Sequence, residues 1–146
     1  PSAHVFEGKI YIYSSHDIDA VDAFDDLGSH FAMEDYHVLS MDSPDDTTAM
    51  DHGVALQVKD IPWAAKQLWA PDAAEKDGKY YLFFPAKGHD GIFRIGVAIS
   101  DSPAGPFTPQ PEPIKKSFSI DPAVFKDDDG HYYMYFGGIW AGQLQR

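Results

Sequence analysis

Ser119-Ile120-Asp121-Pro122-Ala123-Val124-Phe125 leads into Lys126-Asp127-Asp128-Asp129-Gly130 and then His131-Tyr132-Tyr133-Met134-Tyr135-Phe136. An apolar run, an Asp-Gly turn and an aromatic run make a β-hairpin. Proline fixes its own φ and biases Ile120-Asp121 towards extended geometry. One carboxylate, Asp121, therefore stands just before the hairpin begins. Alone, an Asp-Pro pair reads as a turn. The same unit recurs upstream, and the recurrence decides the fold. Around Gly78 the chain reads Ala70-Pro71-Asp72 to Gly78-Lys79-Tyr80-Tyr81-Leu82-Phe83, and around Gly8 it reads Pro1-Ser2-Ala3 to Gly8-Lys9-Ile10-Tyr11-Ile12-Tyr13. Each copy has a proline seven or eight residues before the glycine, a tyrosine three after it (Tyr11, Tyr81, Tyr133) and an aromatic five after it (Tyr13, Phe83, Tyr135).

A second element repeats behind the hairpins: Ser40-Met41-Asp42-Ser43-Pro44 and Ser100-Asp101-Ser102-Pro103. The turn glycines are 70 and 52 residues apart. Strand repeats of this size mean blades of a β-propeller, each a four-stranded sheet around a common axis. A β-sandwich with similar turns is the plainer alternative, and three aligned units weigh against it. A blade takes about 50–60 residues and a closed propeller about four to eight blades. The 146 residues are thus expected to hold about two and a half blades, as a piece of a longer protein.

Composition narrows the partners. A net charge of −12 argues against nucleic acid and anionic membranes, and otherwise reads as solubility. With no cysteine there is no disulfide or thiolate metal site. No apolar run approaches the roughly 20 residues of a membrane helix. Strands are expected over residues 10–13, 33–41, 54–58 and 93–100. Residues 20–30 read as an acidic loop, 43–51 as a polar turn and 102–113 as a Pro-rich connection. One helical turn is expected between Trp63 and Leu68. His16 with Asp17 and Asp19 has metal-ligand chemistry but reads first as a polar loop, and no metal site is assigned. Asp127-Asp128-Asp129-Gly130 looks calcium-like but lacks the downstream Glu of an EF-hand loop, so it reads as a hairpin turn. Trp69 occupies nearly the same repeat position as Ile120 and Asp121. That position, where an innermost strand begins, should face a central pocket; packing between blades is the structural alternative for Trp69.

Leu68-Trp69-Ala70-Pro71-Asp72 with Gly78-Lys79-Tyr80-Tyr81, followed by Ile120-Asp121-Pro122-Ala123-Val124-Phe125 with Asp128-Asp129-Gly130, resembles glycoside hydrolase family 43. Ser15-His16-Asp17 and the stretch from Gly137-Gly138 to Gln143-Leu144 resemble its β-xylosidase and α-L-arabinofuranosidase branches. The resemblance implies an all-β, five-bladed propeller, with residues 1–146 as the N-terminal part of one catalytic domain. It implies hydrolysis, with inversion, of arabinose- or xylose-containing plant polysaccharides. Of the family's three carboxylates, Asp121 matches the one that orients the general acid and tunes its pKa. The base would directly precede Pro1 and the acid would lie beyond Arg146, so the segment alone should be inactive. Trp69, Ala70, Ile120, His16 and Asp17 become substrate-binding candidates. No cofactor is required, and a calcium ion on the propeller axis is allowed for in the intact protein. The implied substrate points to a secreted or periplasmic protein; oligomeric state is left open. Fructan-active relatives carry Arg before Asp-Pro, where this chain has Ile120. A propeller that only binds glycans is the remaining alternative.

Overall fold

A computed structural model describes residues 1–20 and 28–138. The first sheet runs β1 (Ser2–Phe6), β2 (Lys9–Asp17), β3 (Met33–Met41) and β4 (Met50–Gln57) as an antiparallel meander in that order. A 3₁₀ turn at Val58–Asp60 and β5 (Ala64–Lys66) lead into the second sheet. Its meander is β6 (Asp72–Lys76), β7 (Lys79–Gly88), β8 (Phe93–Ser100) and β9 (Thr108–Pro109), with β5 added on the far half of β7. The third sheet consists of β10 (Ile120–Lys126) and β11 (Tyr132–Gly137). The three repeat units thus form the β1–β2, β6–β7 and β10–β11 hairpins, the innermost pair of each blade. Glu7-Gly8 and Asp77-Gly78 have positive φ at both positions. This is the backbone of a two-residue turn whose twist matches the strands it joins.

Alternation along each strand turns one face inward. On β3, Tyr36, Val38 and Ser40 are buried while Asp35, His37 and Leu39, which alternate with them, are only partly so; on β7, Tyr80, Leu82, Phe84 and Ala86 are buried. These faces meet to form the core between the first two blades, where Phe6 packs edge-on against Tyr80 at 5.3 Å and Phe107 against Tyr13 at 6.3 Å. Tyr13 is fully buried, so its hydroxyl needs a partner; it donates to the carbonyl of Pro103 at 2.7 Å. Burial pushes the Tyr13 phenol well above its ordinary pKa. Pro103 belongs to the second repeated element, which therefore ties neighbouring blades together. Phe107 N–H donates to Ala55 O at 2.9 Å across the same seam.

The structure departs from the sequence expectations at four places. The fourth strand begins at Met50, ahead of the expected Val54, because Leu39 and Ser40 pair with Asp51 and Met50. The stretch after Trp63 is strand β5, not a helical turn; β7 offers an open edge there, with Ala64 opposite Gly88, and Trp63 stacks on Phe84 at 6.1 Å. Asp121 lies within β10, and its φ is +52° rather than extended. Ile120 pairs with Gly137 and Ala123 with Tyr135, so β10 carries one extra residue there. The bulge overrides the local bias imposed by Pro122. Fourth, His16 gathers with Asp35 and His37, not with Asp17 and Asp19. Most of the expected acidic loop (residues 21–27) and the end of the family-like stretch (139–146) lie outside the described residues.

Gly96 shows how tightly the second sheet is packed. A Cβ there would lie 2.4 Å from Phe84 and 2.7 Å from Trp63. Overpacking of this kind costs about 1–3 kcal/mol. Gly96→Ala in the intact protein is expected to lower unfolding stability by that amount in urea titration; an unchanged midpoint would show that the Trp63–Phe84 stack is free to shift.

Candidate active site

The three innermost strands β1, β6 and β10 begin around one cavity of about 720 Å³. Pro1, Ala70 and Asp121 line it, so each repeat unit contributes from next to, or at, its own proline. Trp69, Ile120 and Asp17 join them, together with Ser14, Ser15, Met33, Phe31 and Gly138. Of the residues singled out in the sequence, Trp69, Ala70, Ile120, Asp121 and Asp17 therefore stand together. His16 does not line this cavity: its Nδ1 is 2.9 Å from Asp35 Oδ1.

Asp121 owes its place to backbone that few residues adopt. The left-handed φ at the bulge is more accessible to aspartate than to most residues. Gly138 makes room for it: a Cβ at Gly138 would fall 2.8 Å from Asp121 Oδ2, and Gly138 itself has φ +90°. Strain held by its surroundings is common where a side chain must point one way. Partial loss of water raises the Asp121 carboxyl above the usual carboxylate range, even though it opens onto the cavity.

Trp69 is fixed from several sides. Its indole N–H donates to Phe31 O at 3.0 Å, and its ring meets Phe31 edge-on and Phe93 at 4.4 Å. The Trp69 carbonyl accepts from the Tyr36 hydroxyl at 2.5 Å. Gly28 approaches so closely that a Cβ there would lie 2.8 Å from the indole. Gln67, buried and also at positive φ, donates to Gly28 O at 2.8 Å. The indole is thus half buried in a frame, with the remainder facing the cavity. It serves both readings at once, as packing and as a wall.

Behind the cavity lies a residue the sequence reading passed over. Asp72 is 7% exposed. His4 Nε2 lies 2.6 Å from its Oδ1, with the imidazole as donor, and Val124 N–H donates to its Oδ2 at 2.6 Å. One carboxylate therefore joins β1, β6 and β10. Burial alone would raise its pKa; the hydrogen bonds from His4, Val124 N–H and Ala73 N–H outweigh it and hold the carboxyl below its ordinary value. The repeat alignment carried the signal: Ser2 and Ala123 stand where Asp72 does, one residue after the proline.

Among the described residues the cavity would supply only part of the oxygen set of an axial calcium ion. A calcium ion takes six to eight oxygens; the cavity offers the carboxylates of Asp17 and Asp121, and the one group of three acidic or histidine ligands among the described residues lies at His16, Asp35 and His37.

The innermost strands of the blades thus converge on a pocket walled by an aromatic ring and holding a carboxylate. The chain belongs to glycosyl hydrolases family 43, whose model matches residues 1–146. It is 68% identical to xylosidase/arabinosidase 43A of Humicola insolens over 99% of this chain and 45% of that protein. It is 58% identical to a β-xylosidase of Xylanibacter ruminicola over 99% and 46%. Among solved structures it superposes with a TM-score of 0.95 and 74% identity on CoXyl43, a β-xylosidase/α-arabinofuranosidase from a compost microbial metagenome, in a calcium-free complex with xylotriose. This match covers all of this chain and 44% of that one. The chain spans about half the length of the relatives it matches.

Asp72 carries the prediction of this site. Asp72→Ala leaves the buried Val124 N–H without an acceptor, which costs about 1–3 kcal/mol, read as a lower urea midpoint in the intact protein. The depressed carboxyl contributes stability that is complete above its ordinary pKa and is lost as pH falls through the lower folded value. Asp72→Asn removes this charge-dependent part, so its stability should fall less steeply on acidification below pH of about 4. An acid limb identical to that of the native protein would contradict the role given to Asp72.

Proposed function

We propose that the protein containing this chain is an inverting O-glycosyl hydrolase that releases xylosyl or arabinofuranosyl units from plant polysaccharide chains. The observation that carries this reading is the convergence of Pro1, Trp69, Ala70 and Asp121 on one cavity from three equivalent strand starts. The names of the relatives, xylosidase and arabinosidase, supply the sugar class. Such a substrate favours a secreted or periplasmic setting.

Inversion needs an acid on the leaving oxygen and a base on water, roughly 6.5–9.5 Å apart. In this reading the base directly precedes Pro1, which already borders the cavity, and the acid comes from a later blade. Asp121 then exchanges no proton with the substrate. Its charge disfavours ionisation of the acid and so keeps that group protonated near neutral pH. Trp69 offers a flat apolar face to a sugar ring, and Ile120 and Ala70 narrow the wall beside it. Asp17 and the hydroxyls of Ser14 and Ser15 provide hydrogen-bonding groups for sugar hydroxyls on the opposite side.

The test is kcat/KM against pH for Asp121→Asn in the intact protein, on an activated aryl glycoside and on xylotriose. The amide keeps the shape and removes the charge. The acid should then ionise earlier, so the upper limb of the profile moves to lower pH. The aryl glycoside needs little acid assistance and should lose less activity than xylotriose. Equal losses on both substrates with an unmoved upper limb would rule out the tuning role, and native rates on both would return Asp121 to a turn residue.

A further inference from the structure

Outside the cavity, the first sheet brings together a set of side chains that the hydrolytic reading does not use. Asp35 and His37 are alternate residues of β3 and so share one face. Ser15 pairs with Tyr36 and Asp17 with Met33, so β3 carries an extra residue opposite His16. That bulge brings the His16 ring level with both. His16 Nδ1 lies 2.9 Å from Asp35 Oδ1, and the two imidazole centroids are 5.0 Å apart. One ligating atom from each of His16, Asp35 and His37 lies within 4.8 Å of the other two.

A second observation comes from β4. His37 Nδ1 is 3.1 Å from both carboxylate oxygens of Asp51. Asp51 is itself oriented, because Gly53 N–H donates to its Oδ1 at 2.7 Å. A carboxylate behind a histidine holds the proton on one ring nitrogen and leaves the lone pair of the other available. This is the arrangement that metal-bound imidazoles adopt. An ordinary His–Asp ion pair would need only one partner for each ring. Here a second histidine and a second carboxylate are stacked onto the same patch.

We propose that His16, Asp35 and His37 form a binding site for a first-row transition-metal ion of the zinc type, with Asp51 orienting His37. Two imidazoles and one carboxylate suit zinc, with bonds of about 2.0–2.2 Å, better than calcium or magnesium, which favour sets of oxygens. The patch is open to solvent on the His16 side, which is half exposed, so water completes the coordination. The ion joins the end of β2 to β3. Ser14, Ser15 and Asp17, which flank His16, line the cavity, so metal binding at the patch steadies one wall of the cavity without entering it. The proposal stands on the first sheet alone and does not depend on the hydrolytic reading.

The experiment is calorimetric titration of the intact, untagged protein with zinc chloride after chelator treatment, with calcium chloride in parallel, and with thermal melting as a second readout. One zinc per chain is expected, together with a zinc-dependent rise in Tm. Both should be lost in His16→Ala, whose exposed side chain can be removed without unfolding the sheet, and in Asp35→Asn. Asp51→Asn should weaken binding about 10- to 100-fold, as for other groups that orient a ligating histidine. Calcium should not occupy this site, and any calcium bound elsewhere in the intact protein should bind His16→Ala as it binds the native protein. No zinc uptake by the native protein would overturn the proposal. So would unchanged zinc affinity in His16→Ala, which would place the ion elsewhere, or a site that takes calcium in preference to zinc.

Discussion

A buried carboxylate is costly unless each of its oxygens is met by a donor. Asp72 meets that condition with groups from two other sheets, His4 on β1 and the Val124 amide on β10. The geometry this imposes is strict. The first turns of three innermost strands must lie within hydrogen-bonding reach of one side chain, so they fan out from a common point. Pro1, Trp69, Ala70, Ile120 and Asp121 line the cavity from those strand starts, and the end of β2 and the start of β3 close it from the side. Pro1, Ala70 and Asp121 reach one pocket beside strands that this interaction ties together.

Aromatic rings fill the space between the first two sheets. Phe6, Tyr13, Tyr80 and Phe107 form the wedge between the first two blades, and the Tyr13 hydroxyl is satisfied by a carbonyl across the seam. This apolar wedge contributes to cohesion, since it removes several aromatic surfaces from water. It also provides the rigidity that allows strain to persist at the pocket. Asp121 and Gln67 both hold left-handed backbone beside the cavity. Each is held there by close neighbours, Gly138 for Asp121 and Gly28 for Gln67.

The hairpins were legible because their determinants are local. Period-two apolar patterning and Asp-Gly or Glu-Gly turns fix strand limits with little help from the rest of the chain, and β3 and β8 run over the residues expected of them. Repetition extended that reading to the blade and to the pocket-facing position of Asp121. What escaped was decided at a distance. Strand β5 exists because β7 has a free edge for Ala64. The φ of Asp121 is set by a bulge opposite Phe136, against the bias of Pro122. His16 finds Asp35 and His37 through sheet register, which the neighbouring acids Asp17 and Asp19 obscured in the linear sequence. Asp72 follows Pro71 as Ala123 follows Pro122, and only its burial between strands distinguishes it.

The central claim is that the starts of the three innermost strands form one sugar-binding cavity. The most direct measurement is a crystal structure of the intact protein with a xylose oligosaccharide bound. The account predicts a sugar ring between the Trp69 indole and the Asp17 side, with the Asp121 carboxylate beside the reacting carbon but not bonded to the leaving oxygen. A sugar bound on another face of the propeller, with the cavity lined by Trp69, Ile120 and Asp121 left to solvent, would contradict it.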